Sequence, residues 1–204
     1  MGFPAFFDEV RSFVVRDPLA EFLGAAEGGL IEYRYADAVR LAGHSCPTVA
    51  AAYWMTLKAL EYLYPDSLPQ RGGIRVDFRQ DQLSGVTGVI ANVVALLTGA
   101  THDTGFKGLG GQFDRRRLLY FSAGIAEEIR FTRIDTGQAV DIAAQLQPVP
   151  FAPQTFALMQ KCLDGSATAE ETAEFRLCWQ ARVRTLLLER GDDPEVFVLR
   201  PAPG

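Results

Sequence analysis

The chain has few of the residues that bind soft metals or form cross-links. Its 204 residues include three cysteines and two histidines. The cysteines Cys46, Cys162 and Cys178 are odd in number and widely spaced, unlike the framework of a disulfide-stabilised secreted protein. No two cysteines are separated by two residues, which excludes a zinc ribbon and covalent haem attachment. We therefore expect reduced thiols and a cytoplasmic location.

Positive charge is also scarce. The chain has 20 lysine and arginine residues against 25 acidic ones, which gives a net charge of −5. This balance argues against a surface for nucleic acid or for anionic membranes. The only basic run, Arg115-Arg116-Arg117, follows Asp114 and is typical of a solvated turn.

Long apolar segments are missing as well. No run of about 18 apolar residues occurs, so we expect no membrane-spanning helix. The first residues lack a basic leader, and Asp8 and Glu9 interrupt the apolar stretch that a signal peptide needs. The overall composition, 48% apolar and 22% charged, is that of a folded globular protein.

The apolar pattern predicts alternating helices and strands. We expect one or two short helices over residues 4–23, a strand over 28–34 and a short helix over 35–42. Pro47 suits the first position of a long helix ending near Tyr64, and a second buried helix should run from Val86 to Leu97 and end at Gly99. Further strands are expected in GGIRVDFRQ, LLYFS, EIRFTRI and QAVDIAAQL, the last two joined by the hairpin signal Asp135-Thr136-Gly137.

The proline-rich segment QPVPFAP is the most plausible boundary in the chain. We predict an α+β domain over residues 1–147 and a C-terminal helical extension over 148–204. Within the extension, Thr168 and Glu171 form a capping-box pattern before a long amphipathic helix that ends near residue 190. Cys162 and Cys178 occupy apolar positions in this part, so we expect them in the core.

His44 and Cys46 lie two residues apart at the entrance of the long helix. In an extended segment, side chains at this spacing point to the same side. Cys46 immediately precedes Pro47, where the positive end of the helix dipole favours a thiolate. Imidazole and thiolate together suit Zn²⁺, with other transition metals such as iron as alternatives. The alternative is an ordinary helix entrance that contains both residues by chance.

The second histidine, His102, is the one candidate for a third ligand of this type. It follows the second buried helix, beside Asp103, in the glycine-rich segment THDTGFKGLGG. The same segment contains Lys107, which together with backbone N–H groups could bind an anion. Because glycine follows Lys107, the segment is not a Walker A sequence. The alternatives are an exposed loop histidine and glycines that merely shape a turn.

These motifs resemble those of a known family, that of the E-type subunit of formylmethanofuran dehydrogenase. The segment GHSCPTVAAAYWM is similar to the family signature Gly-His-x-Cys-Pro followed by a helix, and NVVALLTGATHDTGFKGLGG to its second motif. The resemblance covers roughly residues 30–145 and implies an α-β-α-β-β-β core with a mixed sheet. It does not imply a particular reaction, because fold-level analogy cannot assign one.

The chain departs from the family pattern in its second motif. Ala100 stands where the family usually has a cysteine, and Asn92 stands where it has an aspartate. The following loop is longer and includes His102. The zinc-ribbon appendage of some relatives is replaced by the C-terminal helix. We infer that His102 takes the place of the missing cysteine, which gives the ligand set His44, Cys46 and His102.

Three functions are compatible with these observations. The first is a metal-binding protein whose open site holds a small ligand, in a sensor, carrier or accessory role. The second is a metalloenzyme acting on a small molecule, with Asp103 and Lys107 as candidate acid and base. The third is a structural or assembly partner with a vestigial site.

The sequence also predicts a homodimer. Tyr53, Trp54 and Met55 crowd one helix, and Phe175 and Trp179 add apolar surface to another, more than a small sheet easily covers. Light scattering at micromolar concentration should therefore give twice the mass of one chain. A monomeric mass would contradict this prediction.

Overall fold

The computed structural model describes residues 2–202 and has an α+β fold, as predicted. Within these residues the helices are α1 (Pro18–Phe22), α2 (Tyr35–Ala42), α3 (Pro47–Leu63), α4 (Thr87–Thr98), α5 (Thr155–Leu163) and α6 (Ala169–Arg184). The strands are β1 (Phe13–Arg16), β2 (Leu30–Tyr33), β3 (Ile74–Phe78), β4 (Leu119–Tyr120), β5 (Ile129–Arg133), β6 (Ala139–Ala144) and β7 (Phe197–Ala202). A π-helical turn, Thr185–Glu189, continues α6. None of the helices described is both long and apolar enough to cross a membrane.

The main sheet is mixed, as the resemblance implies. Its strand order is β4-β3-β5-β6-β7. Strands β3 and β4 are parallel, whereas the other neighbours are antiparallel. The expected hairpin joins β5 to β6, and Gly137 takes the positive φ of 75° that its turn requires. Strands β1 and β2 form a separate antiparallel pair.

Helix α3 lies at the centre of the core. It packs against β5 and β6 on one side and against α2, α4 and the π-helical turn on others. Tyr53, Trp54 and Met55 are all buried within the chain. Their polar atoms are satisfied there, because the Trp54 Nε1–H donates to the Leu187 carbonyl at 3.0 Å and the Tyr53 hydroxyl to the Arg11 carbonyl at 2.8 Å. Covering α3 therefore needs no second copy, and the predicted homodimer loses this part of its basis.

The sequence patterns missed two strands. The N-terminal segment, predicted to be helical, contains β1 and the short α1 in addition to a 3₁₀ turn at Ala5–Glu9. Strand β7, in the segment predicted to be helical, pairs along its length with β6. It contains Pro201, which cannot donate to a ladder and is tolerated because β7 is an edge strand. The division proposed at residue 147 therefore falls between two strands of one sheet, and it stays a prediction.

A buried ionic cluster holds the segment after α4 against the N-terminal elements. Asp17 accepts hydrogen bonds from Arg71 Nη1 at 2.8 Å and from Arg115 Nη2 at 2.6 Å. It also caps α1, through the backbone N–H groups of Leu19 and Ala20. The side chains of Asp17 and Arg115 are only 4% and 6% exposed. The interpretation of the Arg115-Arg116-Arg117 run as a solvated turn is thus wrong for Arg115.

The Asp17→Asn variant should be strongly destabilised. The amide keeps the cap of α1, but it leaves two guanidinium groups without a counter-charge, so we expect the free energy of unfolding to fall by about 3–5 kcal/mol. Glu21→Gln is the matched control, because its pair with Arg16 is exposed and should contribute less than about 1 kcal/mol. Urea unfolding measures both, and equal small effects would contradict the assigned role of the cluster.

The contribution of Asp17 should also depend on pH. Burial alone would raise the pKa of Asp17, but the hydrogen bond from Arg71 and the charge of Arg115 outweigh burial and lower it. The stabilisation is therefore complete above the pKa of the unfolded chain and is lost as pH falls through the lower folded-state pKa. The difference in stability between wild type and Asp17→Asn should shrink accordingly in acid.

Candidate functional site

The candidate site lies in the short connection between α2 and α3. Gly43 ends α2 in the left-handed conformation, with φ of 76°. Cys46 has extended backbone angles as the N-cap of α3, and Pro47 occupies the first helical position, as expected. Four residues, 43–46, therefore link the two helices, so the side chains at 44–46 are positioned by both.

The structure brings His44 and Cys46 together. His44 Nε2 lies 3.3 Å from Cys46 Sγ, and His44 Nδ1 lies 3.0 Å from the carbonyl oxygen of Ala42. Because a carbonyl only accepts, Nδ1 is the donor in this contact, and Nε2 is the ring nitrogen that faces the sulfur. The predicted common orientation of these two side chains is thus present, with the imidazole held by a backbone group.

The pair is accessible from outside the protein on one side. His44 is exposed, whereas Cys46 is buried and retains 9% of its surface. Cys46 makes no side-chain capping bond to α3. Its sulfur is therefore not used by the helix, and a metal ion or small molecule can approach along the imidazole.

Ser45, between the two candidate ligands, is anchored by α6. Its carbonyl oxygen accepts hydrogen bonds from Trp179 Nε1 at 3.0 Å and from Gln180 Nε2 at 3.2 Å. Its hydroxyl lies 2.9 Å from the Tyr35 hydroxyl and 3.1 Å from Gln180 Oε1. Sequence patterns alone missed these positioning residues. The available signal was the indole of Trp179 within an amphipathic helix, since a half-buried indole N–H needs an acceptor.

The pair has a donor set and a separation suited to one transition-metal ion. A sulfur and a nitrogen bound to the same tetrahedral zinc ion are about 3.6 Å apart. The observed 3.3 Å is close to this value, and it also fits a hydrogen bond between a thiol and an imidazole. The bond from Nδ1 to a backbone carbonyl is the kind of support that metal-binding histidines usually have.

The third predicted ligand is not part of this arrangement. His102 lies in the loop after α4, where its ring is about half exposed, its Nδ1 is 3.2 Å from Asp103 Oδ2 and its centroid is 6.0 Å from that of Phe121. Among residues 2–202, no three histidine, cysteine, aspartate or glutamate side chains are grouped so that they could hold a metal ion. A ligand role for His102 stays a prediction, and it requires this loop to move.

The other candidate residues are also placed. Lys107 is exposed in the same loop and makes no hydrogen bond or ion pair to any described residue. Cys162 and Cys178 are half-buried rather than in the core, because they lie in the seam between α5 and α6 near Thr172 and Gln154. In the part of the chain described, neither forms a disulfide.

These features define a site with a histidine and a cysteine at a helix entrance, within an α+β fold. The model of the family described as FmdE, molybdenum formylmethanofuran dehydrogenase operon, matches residues 41–193. The chain belongs to this family, which confirms the resemblance seen in its motifs. The match includes His44, Cys46 and α6, and it extends beyond the predicted boundary at residue 147. No curated protein matches the chain significantly.

The anchoring of Ser45 can be tested with Trp179→Phe, which keeps an aromatic ring but removes one donor. We expect the free energy of unfolding to fall by about 0.5–1.5 kcal/mol. Amide hydrogen exchange in residues 44–46 should become faster, because this segment loses one of its hydrogen bonds to α6. Trp54→Phe is the matched control: it removes the bond to Leu187 and should leave local exchange at 44–46 unchanged. Unchanged exchange in Trp179→Phe would contradict the anchoring role.

Proposed function

We propose that this protein binds one transition-metal ion, zinc or a related ion such as iron, through His44 Nε2 and Cys46 Sγ. The observation that carries the proposal is the 3.3 Å separation of these two atoms, with the histidine oriented by the Ala42 carbonyl. The exposure of His44 supports a site that exchanges ligands with solvent. A fully buried site closed by four side chains would indicate a structural role instead.

Two protein ligands leave open coordination positions. Structural zinc sites have four protein ligands and catalytic ones usually three. The remaining positions are therefore available to a small ligand, and this is the basis of the proposed sensor, carrier or accessory role. When bound, the ion supplies Lewis acidity to that ligand. Ser45 and its hydrogen-bond partners on α6 hold the segment that carries the two protein ligands in place.

The second candidate function is a metalloenzyme that acts on a small molecule. It would need an acid or base beside the site, and the sequence offers Asp103 and Lys107. Both are exposed in the loop of His102, and the charge of Asp103 is directed to His102 itself. The arrangement of His44 and Cys46 therefore supports metal binding more directly than it supports a particular reaction.

Metal content is the decisive test. Protein purified without a histidine tag should contain about one transition-metal ion per chain by elemental analysis. The His44→Ala, Cys46→Ala double variant should contain almost none, because it lacks both donors. Cys178→Ser is the matched control: it removes a half-buried thiol from α6 and should keep the metal. Unchanged metal content in the double variant would end the proposal.

The same preparation tests His102. In a competition with a chelator, His102→Ala should bind zinc as tightly as wild type if the loop keeps the position it has in this structure. If His102 is a ligand, the His102→Ala variant should bind zinc one or two orders of magnitude more weakly. That result would establish the ligand set predicted from the sequence, His44, Cys46 and His102.

A further inference from the structure

The ionic cluster around Asp17 has an excess of positive charge. One carboxylate faces two guanidinium groups, at 2.8 Å from Arg71 and 2.6 Å from Arg115. Arg71 also donates to the carbonyl of Leu96, near the end of α4, through its Nε and Nη2 atoms. The three side chains therefore carry two positive charges and one negative charge, and a charge removed from solvent is costly unless it is paired.

Arg115 has buried donors without acceptors. Its Nε and Nη1 atoms make no hydrogen bond to any residue within 2–202, although its side chain is only 6% exposed. Such groups are rare in folded proteins, since an unpaired buried donor forfeits its hydration. Gly72 packs directly over this guanidinium, and a Cβ atom at that position would overlap Nη1. The chain thus makes room for a guanidinium that its own acceptors do not satisfy.

A small cavity lies beside these two arginines. Its volume is about 250 Å³, and its walls include Arg71, Arg115, Gly72, Gln112 and Phe113. This is less than the roughly 300–1,000 Å³ of sites for drug-sized ligands, so only a small molecule fits. The cavity lies where the two ends of the loop after α4 meet. There Thr101 donates to the Arg115 carbonyl through both its N–H and its hydroxyl.

Among the described residues that line the cavity, Asp114 is the one acidic side chain, and its charge is already matched. The Arg116 guanidinium holds it at 2.7 Å, and this hydrogen bond lowers the pKa of Asp114 to about 2. The charge of Asp114 is therefore paired outside the cluster. It does not compensate Arg71 and Arg115.

We propose that this cavity binds a small oxyanion, a carboxylate or a phosphate, which accepts hydrogen bonds from Arg115 and Arg71. An oxyanion supplies both missing elements, a negative charge and acceptors for Nε and Nη1 of Arg115. The planar guanidinium fork matches the geometry of such groups. The site is separate from His44 and Cys46 and does not depend on metal binding.

Access to Arg115 requires a small movement at the cavity rim. The unpaired donors have almost no contact with solvent, whereas the Arg71 side chain is 23% exposed. An entering anion meets Arg71 first and reaches Arg115 as the rim at Gln112 and Phe113 shifts outward. Phe113 has a φ of 62°, a strained conformation for a residue with a side chain, so the rim is held in place at an energetic cost.

The test is a titration of wild-type protein with inorganic phosphate and with acetate, against chloride at the same ionic strength. The arginine Nε–Hε signals in nitrogen–proton correlation spectra are followed and are assigned with Arg71→Lys and Arg115→Lys. The signals of Arg115 and Arg71 should shift to saturation on titration with phosphate or with acetate. The anion that binds more tightly shows whether the site prefers a phosphate or a carboxylate. Saturation by neither overturns the proposal.

Two variants locate the binding. Arg115→Lys keeps the charge but lacks the guanidinium donors, so oxyanion affinity should fall at least tenfold. Arg176→Gln removes an exposed cation from α6, outside the cavity wall, and should bind as wild type does. Loss of binding in Arg176→Gln, or its retention in a folded Arg115→Lys, overturns the proposal. If Arg115→Lys does not fold, the wild-type titration with the Arg176→Gln control still decides.

Discussion

Helix α3 has almost no side that faces solvent, and its burial determines where the other elements lie. It packs against the sheet, the three helices α2, α4 and α6, and the π-helical turn. Burial of an aliphatic or aromatic side chain contributes about 1.5–3 kcal/mol to the stability of the folded state. A helix with many such side chains therefore contributes a large share of the stability of this fold. Its two ends reach the surface, at half-buried Pro47 and Thr48 and at exposed Glu61, and the N-terminal end carries Cys46. The central helix of the core therefore supports one half of the candidate metal site.

The elements that local pattern predicts well are those whose signals lie within their own residues. Helices α3 and α4 are continuous apolar segments with clear boundaries, Pro47 at the start of one and Gly99 at the end of the other. Strands β1 and β7 have no such signal. Phe13 and Val14 also fit a helical spacing with Phe6 and Val10, and Pro201 weakens the strand pattern of β7. Both strands depend on partners elsewhere in the chain, which local periodicity does not reveal.

The candidate site shows the same division between local and distant information. The approach of His44 to Cys46 follows from a spacing of two in an extended segment before Pro47, so it was predictable. The position of His102 depends on the path of a glycine-rich loop, which its sequence leaves open. The partner of Arg115 is 98 residues away. Next to Asp114 and Arg116, Arg115 has the local appearance of a surface residue, and only the tertiary structure distinguishes it.

Ser45 receives its hydrogen bonds from a helix 134 and 135 residues further along the chain. The geometry of His44 and Cys46 is thus set partly by residues that are not candidate ligands. A change in the length or tilt of α6 would move the Ser45 carbonyl and would alter the distance between the imidazole and the sulfur. The distance between the two candidate ligands can in this way change while the His-x-Cys motif stays the same.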